Sequence, residues 1–217
     1  MTMPVIGGHR LSVAVELVDA YTGETPQHLP RVRLEHRPEQ LVRTPSDRYV
    51  LLDLDAAVTA VDVSVEGRGY LPAGTTIEDI EEPDTNYEAT SITLTPAPAY
   101  RFPSTATLVR GTVTTGDTPL PDATVRLAGP GDDADSVHAR SRETRTDADG
   151  EFVAFVTGLT DEDVTDAYTD GTDLGHRVVH VDGERPELRV IHPDTGAIEA
   201  VPVAIPVGGT ASVDVTL

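Results

Sequence analysis

The sequence predicts an all-β fold built from two tandem β-sandwich domains. Apolar residues alternate with polar ones over short stretches, as in Leu11–Val18, and this period of two is typical of half-buried strands. Clusters of glycine and proline separate the stretches; the chain contains 18 Gly and 17 Pro. The order of strands and turns in the first half returns in the second half. These observations together indicate a repeated sandwich.

The first half, residues 1–98, is expected to form one sandwich. In Leu11–Val18 the four apolar side chains from Leu11 to Leu17 share one face. Asp19–Pro26 follows as a turn, because its glycine and proline interrupt the strand pattern. Further strands are expected at Arg31–His36, Tyr49–Leu54, Val58–Val65 and Ser91–Thr95, with an acidic loop at Ile77–Asp84.

A proline-rich connector is predicted at residues 99–105, between a first domain at 1–98 and a second domain at 106–217. Three prolines fall within the eight residues from Pro96 to Pro103, and proline favours a stiff, extended chain. The connector is short and carries two aromatic side chains. We therefore expect it to hold the two domains in a fixed relation.

The second half, residues 106–217, repeats the organisation of the first. In each half a glycine turn, at Gly23 or Gly116, leads through a Leu-Pro pair to an alternating strand. The second half differs by an acidic insertion at 160–175. Strands are expected at 106–114, 123–127, 152–155, 177–181, 188–192, 198–203 and 212–217.

The net charge is the most informative feature of the composition. Thirty-seven Asp and Glu face 16 basic residues, all of them Arg, and the formal net charge is −21. A lysine-free acidic chain of this kind resembles proteins of halophilic archaea, which is the source we expect. Salt at about 1 M shortens the Debye length to about 3 Å. We expect the fold to loosen at low salt, where the carboxylates repel one another. Nucleic acid and acidic membrane surfaces are excluded as partners, because they require basic patches.

Thiol chemistry and membrane insertion are also excluded by composition. The chain contains no Cys, so it has no disulfide, thiol nucleophile or thiolate metal site. No window approaches the roughly 18 consecutive apolar residues of a membrane span. Met1–Gly8 lacks the basic and apolar regions of a signal peptide. We therefore expect the protein to assemble in the cytoplasm.

One stretch could be taken for part of a calcium loop. Asp147–Gly150 reads Asp-Ala-Asp-Gly, but Arg145 and Val156 stand where an EF-hand loop needs carboxylate ligands. A turn between strands, in which Gly150 takes a positive φ, explains the pattern better. We therefore predict no metal there.

Two further patterns could chelate a cation. His176 and His180 have a chelating spacing on a helix, but their flanking residues predict a strand, in which such residues lie about 13 Å apart. The acidic stretches Glu78–Asp84 and Asp161–Asp173 are expected to be solvated surface or flexible contact loops. We therefore expect no metal or cofactor.

No catalytic residues are predicted from the sequence. The chain has no Gly-x-Ser-x-Gly nucleophile turn and no glycine-rich phosphate loop. No pair of carboxylates stands in a recognisable active-site context. We therefore expect that the protein is not an enzyme.

A family resemblance is carried by Ala106–Phe155. This stretch runs strand, Gly/Pro turn, strand, loop, and then Thr-Asp-Ala-Asp-Gly-Glu-Phe at Thr146–Phe152 before the next strand. It resembles carboxypeptidase regulatory-like domains, which are small transthyretin-like β-sandwiches. The resemblance implies that both domains are transthyretin-like or immunoglobulin-like sandwiches.

A narrower resemblance is carried by Val15–Gly23 and by Tyr100–Gly111. These segments are similar to ones in proteins associated with the tails, baseplates and spikes of contractile injection systems and tailed viruses. The resemblance implies a non-catalytic structural or adaptor subunit of such a particle, assembled in the cytoplasm and then part of an extracellular particle or virion. Its partners would be other particle subunits, including copies of itself in a symmetric assembly, which contact its sandwich faces or edge strands.

The alternative function is a receptor- or carbohydrate-binding module at the surface of a virion or cell. Such modules bind through exposed aromatic side chains. The residues that could supply them here are Tyr21, Tyr70, Tyr87, Tyr100 and Tyr168.

Overall fold

The computed structural model confirms that the fold is all-β. It describes residues 5–6, 9–28, 30–34, 41–55, 57–78, 80, 89–133 and 137–217. Strands run through both halves of this described part, and its helical structure is a single 3-10 turn at Asp161–Asp163. None of the described segments forms a helix with the length and apolar character needed to cross a membrane.

The chain divides into two compact units, Met1–Thr95 and Pro96–Leu217. The segment expected to connect them belongs to the second unit. In that segment the ring centroids of Tyr100 and Phe102 lie 4.6 Å apart. The Phe102 ring in turn lies 6.0 Å from that of Phe155, which is buried. The segment therefore packs against the core of the second unit.

The described residues of the first unit form strands β1 to β8. One sheet contains β1, β2, β5 and β4 in that order, with β8 paired to β2, and the other has the order β3, β6, β7. The apolar side chains of β2 and β6 are buried at every second position, as their alternating sequences predict. The strands are Val5–Ile6 (β1), His9–Asp19 (β2), Arg31–Leu34 (β3), Leu41–Arg43 (β4), Tyr49–Leu52 (β5), Val61–Glu66 (β6), Ala73–Ile77 (β7) and Thr90–Leu94 (β8).

The described residues of the second unit form strands β9 to β19. One sheet has the order β10, β9, β13, and β18 and β19 also pair with β9. A second sheet has the order β12, β11, β16, β17, and β14 pairs with β15 in a separate hairpin. The strands are Thr107–Thr115 (β9), Thr118–Pro119 (β10), Thr124–Ala128 (β11), Thr144–Arg145 (β12), Glu151–Val156 (β13), Val164–Ala167 (β14), Asp173–Val179 (β15), Glu187–Ile191 (β16), Ile198–Pro202 (β17), Thr210–Ser212 (β18) and Val215–Thr216 (β19).

The core of the second unit is built mostly from valine, leucine and alanine. Phe152 is its largest side chain and packs with Val125, Leu127, Leu188 and Ile205, all essentially inaccessible to solvent. Aliphatic and β-branched side chains suit the pleated surface of a strand. Because the chain is poor in aromatic residues, its cores depend on this close aliphatic packing.

The two units share their main strand pairings. In each, the first long strand pairs antiparallel with a middle strand: β2 with β5, and β9 with β13. The same long strand also pairs parallel with the last strands of its unit, β2 with β8, and β9 with β18 and β19. In both units the other sheet contains an antiparallel pair, β3 with β6 or β11 with β16. The internal repeat predicted from turn and strand order therefore corresponds to these shared pairings, although β4 joins the sheet of β5 whereas β12 joins that of β11.

Several elements differ from the sequence expectation. The strand expected at Val58–Val65 begins at Val61, and β7 was not expected at all, because Ala-Gly-Thr-Thr-Ile lacks an apolar alternation. The acidic insertion at 160–175 is not a loop: it contains the 3-10 turn, β14 and the start of β15. The expectation of a flexible loop was wrong because Val164 pairs with Val179 and both are buried, which gives the hairpin an apolar anchor.

Candidate functional site

The Asp147–Gly150 stretch forms a turn, as expected. One carboxylate oxygen of Asp147 accepts hydrogen bonds from the N–H groups of Asp149 and Glu151, each at 3.0 Å. Gly150 has a φ of 73°, and a Cβ atom there would lie 2.6 Å from the carbonyl oxygen of Val113. The carboxylate thus closes the turn, and the glycine is required by both its conformation and its close neighbour.

The strand prediction for this segment is confirmed at His176 but not at His180, which lies just beyond the strand. His176 is exposed within β15, and His180 follows the end of that strand. The Nδ1 atom of His180 accepts a hydrogen bond from the Gly183 N–H at 2.9 Å, so it stabilises a turn. Among the described residues, no three His, Asp or Glu side chains converge as they would around a metal ion.

Three carboxylates of the acidic insertion are bound to arginines. Asp161 pairs with Arg177 at 3.1 Å, Asp163 with Arg140 at 3.3 Å, and Asp170 with Arg185 at 3.2 Å. These ion pairs help to hold the insertion in one place, although exposed pairs contribute little energy individually. Of the other acidic stretch, residues 79 and 81–84 lie outside the described residues.

Asp163 is the most constrained of these carboxylates. Hydrogen bonds from the Thr160 hydroxyl and N–H, at 2.6 and 2.7 Å, together with the Arg140 guanidinium, lower the pKa of Asp163. The backbone carbonyl of Asp163 also accepts the His180 N–H at 3.0 Å. The side chain thus closes the turn that begins at Thr160 and binds Arg140, while the backbone carbonyl connects this turn to the segment after β15.

His138 was not singled out by the sequence, because it lies in a polar loop without periodicity. Its Nδ1 atom accepts the Arg140 N–H at 3.1 Å, and burial lowers the pKa of the imidazole. Asp163 and His180 are its charged and titratable neighbours. These contacts connect the loop to the insertion, and they give His138 a structural role.

The tyrosines considered for ligand binding are largely used inside the protein. The Tyr70 hydroxyl donates to Asp19 at 2.7 Å, and the Tyr168 hydroxyl donates to the Val179 carbonyl at 3.2 Å; both rings are buried. Tyr21 and Tyr100 are half-buried. Tyr87 lies outside the described residues. The tyrosines within the described residues thus offer little exposed aromatic surface for stacking on a sugar.

A cavity of about 330 Å³ lies in the second unit, and its lining includes Pro130, Tyr168, Arg185, Glu187 and Pro202. The Arg185 guanidinium lies 5.3 Å from the centre of the Tyr168 ring. Its Nε atom is buried without a hydrogen-bond partner among the described residues. Glu187 and Pro202 pair across β16 and β17, so both side chains project from the outer face of that sheet.

Strand β17 forms the edge of the sheet β12–β11–β16–β17. Ile198, its first residue, is 44% exposed, and the strand carries a single charged residue, Glu199. The exposed side chains of Ile198, Ala200 and Pro202 project from the face that also carries the cavity. The edge strand β17 thus exposes three apolar side chains on one face.

The backbone register shows which groups of β17 face outward. The Val203 N–H donates to the Pro186 carbonyl at 2.9 Å, and the His192 N–H donates to the Ala197 carbonyl at 2.8 Å. Antiparallel ladder bonds recur at every second residue, so the odd-numbered residues of this segment bond to β16. The even-numbered residues 198, 200 and 202 direct their backbone groups away from the sheet, where no described residue pairs with them. We call this outward backbone the free edge of β17.

No family model matches the chain, and no curated protein matches it. Among solved structures, it is similar to a streptococcal ancillary pilin at 10% identity, over 94% of this chain and 68% of that one, with a TM-score of 0.30. It is also similar to the Bacillus anthracis TIE protein at 9% identity, over 95% of this chain and 50% of that one, with a TM-score of 0.28. For BcpA, the major pilin subunit of Bacillus cereus, the identity is 7%, the coverage 88% and 55%, and the TM-score 0.26. TM-scores this low do not establish a shared fold or function.

Proposed function

We propose that this chain is a structural subunit that acts through protein–protein contacts. The observation that carries the proposal is the free edge of β17, which presents backbone donors and acceptors beside the exposed Ile198. An unpaired edge binds another chain by adding a strand to the sheet, and proteins normally block the edges that they do not use. In β17 the blocking devices are slight: one charge, at Glu199, and one proline, at the end of the strand.

We further propose that the subunit performs no catalysis. Its buried polar side chains serve the fold: Asp19 closes a turn by accepting the Tyr21 N–H, and Arg189, which is 5% exposed, donates to the carbonyls of Gly129 and Asp133. Buried charges held by several hydrogen bonds are typical of structural roles.

The particle that we propose is a phage-like tail or a contractile injection particle. The support is the resemblance of Val15–Gly23 and Tyr100–Gly111 to segments of proteins associated with such particles. The subunit would assemble with its neighbours in the cytoplasm and leave the cell within the particle. The carbohydrate-binding alternative has weaker support, because Tyr70 and Tyr168 are buried.

The test is to isolate native particles, in high salt, from host cells that produce a tagged chain. We expect tail or sheath proteins to co-purify with the wild type and to be lost with Ile198→Asp, which places a charge on the edge. Val42→Asp is the matched control, since Val42 is also 44% exposed on an edge strand but lies in the first unit. A chain that isolates alone, or whose Ile198→Asp variant retains every partner, would refute the proposal.

A further inference from the structure

We propose that the free edge of β17 pairs with the same edge of a second copy of this chain, antiparallel about a two-fold axis at Ala200. This inference rests on the proposed function, because it names a partner for the same edge. A two-fold axis makes the interface self-complementary, since the same groups meet from both sides.

The backbone groups match in this register. Ala200 of each copy would donate its N–H to the Ala200 carbonyl of the other, because the backbone of Ala200 faces outward in both. Ile198 of each copy lies opposite Pro202 of the other, and its N–H would donate to the Pro202 carbonyl. Pro202 has no N–H, so the ladder ends at this pair on each side.

The side chains also match. Directly opposite residues of an antiparallel pair project from the same face of the sheet. Ile198 of the second copy would therefore lie next to Pro202 on the outer face, where Pro202 and Pro130 line the 330 Å³ cavity. The exposed isoleucine of each copy thus meets Pro202 of the other, beside a cavity whose lining is otherwise mostly polar. Glu199 would stand opposite Val201, so the two Glu199 carboxylates do not face each other.

Charge favours this segment as the meeting point of two acidic chains. Each copy carries a net charge of −21, which opposes self-association over most of the surface. Between residues 197 and 207 the single charged residue is Glu199. Along this edge two like-charged copies therefore bring few carboxylates together, and salt at about 1 M screens most of the remaining repulsion.

The first experiment measures the mass of the purified full chain in about 1 M salt by sedimentation equilibrium. We expect a dimer of twice 23.1 kDa, and we expect it to dissociate progressively as the salt is lowered. Ile198→Asp should give a monomer with an unchanged circular dichroism spectrum. Val42→Asp, with the same exposure, should remain a dimer. A wild type that is monomeric at every protein concentration would overturn the inference.

A second experiment tests the register, using the absence of cysteine from the natural chain. In an antiparallel pair, opposite hydrogen-bonded residues have Cα atoms about 5.5 Å apart, which a disulfide can span. Ala200→Cys should therefore cross-link into a covalent dimer on oxidation with copper phenanthroline. The Cys residues of Glu199→Cys would lie diagonally, about 7–8 Å apart, and should cross-link far less. Equal cross-linking of the two variants would overturn the register.

Failure of the inference can be distinguished from failure of the proposed function. If the purified chain is a monomer but tail proteins are lost from isolates of Ile198→Asp, the edge binds a strand from another protein. In that case the inference is wrong and the function stands. If the chain dimerises through β17 but no particle protein accompanies it, the inference stands and the proposed function is wrong.

Discussion

The Tyr70 hydroxyl donates a 2.7 Å hydrogen bond to the carboxylate of Asp19, 51 residues away in the sequence. Asp19 is only 2% exposed, and its other carboxylate oxygen accepts the N–H groups of Tyr21 and Thr22. The pair joins the turn after β2 to the loop after β6. A buried charge is thus satisfied by groups from separate parts of the first unit.

Replacing Tyr70 by Phe should destabilise the first unit. The change removes a donor from a buried carboxylate, and an unsatisfied buried group costs roughly 1–3 kcal/mol. Urea unfolding in high salt measures the change in the free energy of unfolding. Tyr49→Phe is the matched control, because the Tyr49 hydroxyl makes only a long, 3.4 Å bond to the Pro30 carbonyl. Equal losses from the two variants would contradict the role given to the Tyr70–Asp19 bond.

Replacing Gly150 by Ala should be far more harmful than the same change at Gly116. Both glycines have a positive φ, 73° and 59°, which costs a residue with a side chain about 1–2 kcal/mol. The added Cβ at Gly150 would also meet the Val113 carbonyl oxygen at 2.6 Å, whereas nothing lies within 4 Å at Gly116. Thermal unfolding of the two variants, which share a positive φ but differ in close neighbours, gives the comparison. Similar melting temperatures would show that the Gly150 turn moves to accept the methyl group.

The low pKa of Asp163 makes its contribution to stability depend on pH. Because its folded pKa lies below the unfolded value of about 3.9, the carboxylate stabilises the fold above that value. The contribution is lost as the pH falls through the folded pKa. Asp163→Asn should therefore be less stable than the wild type at neutral pH, and the two should converge in acid. Asp161→Asn, whose side chain is 95% exposed, should differ little from the wild type at neutral pH. A gap between Asp163→Asn and the wild type that persists in strong acid would contradict this account.

Salt should stabilise the whole chain. With 37 acidic and 16 basic residues, carboxylate repulsion opposes the compact state and is screened as ionic strength rises. The melting temperature should fall when salt is lowered from above about 1 M to about 50 mM. A melting temperature that does not change with salt would contradict the electrostatic explanation.

Much of the fold follows from local sequence patterns. The alternation of Leu11, Val13, Val15 and Leu17 identified β2 and its buried face, because each apolar residue gains by the same burial. The positive φ of Gly150 followed from the turn sequence around it. β7 was missed because its residues carry no apolar alternation, and its place is set by pairing with β6.

The candidate site could not be predicted in the same way. The Ala200 backbone points outward because the odd-numbered residues of β17, and not the even-numbered ones, bond to β16. The register of the whole sheet determines which set bonds. The charges of the acidic insertion correctly indicated exposed side chains, such as that of Asp161, but they gave no sign of a strand pair. The buried pair of Val164 and Val179, far apart in sequence, decides its structure.

The parallel pairing of first and last strands in each unit has a mechanical consequence. Tension drawn through a unit along the chain would pull β2 against β8, or β9 against β18, in opposite directions along their length. The hydrogen bonds of such a ladder are loaded together in shear and must fail nearly at once. A unit built in this way resists stretching far better than one whose terminal strands can be peeled apart bond by bond.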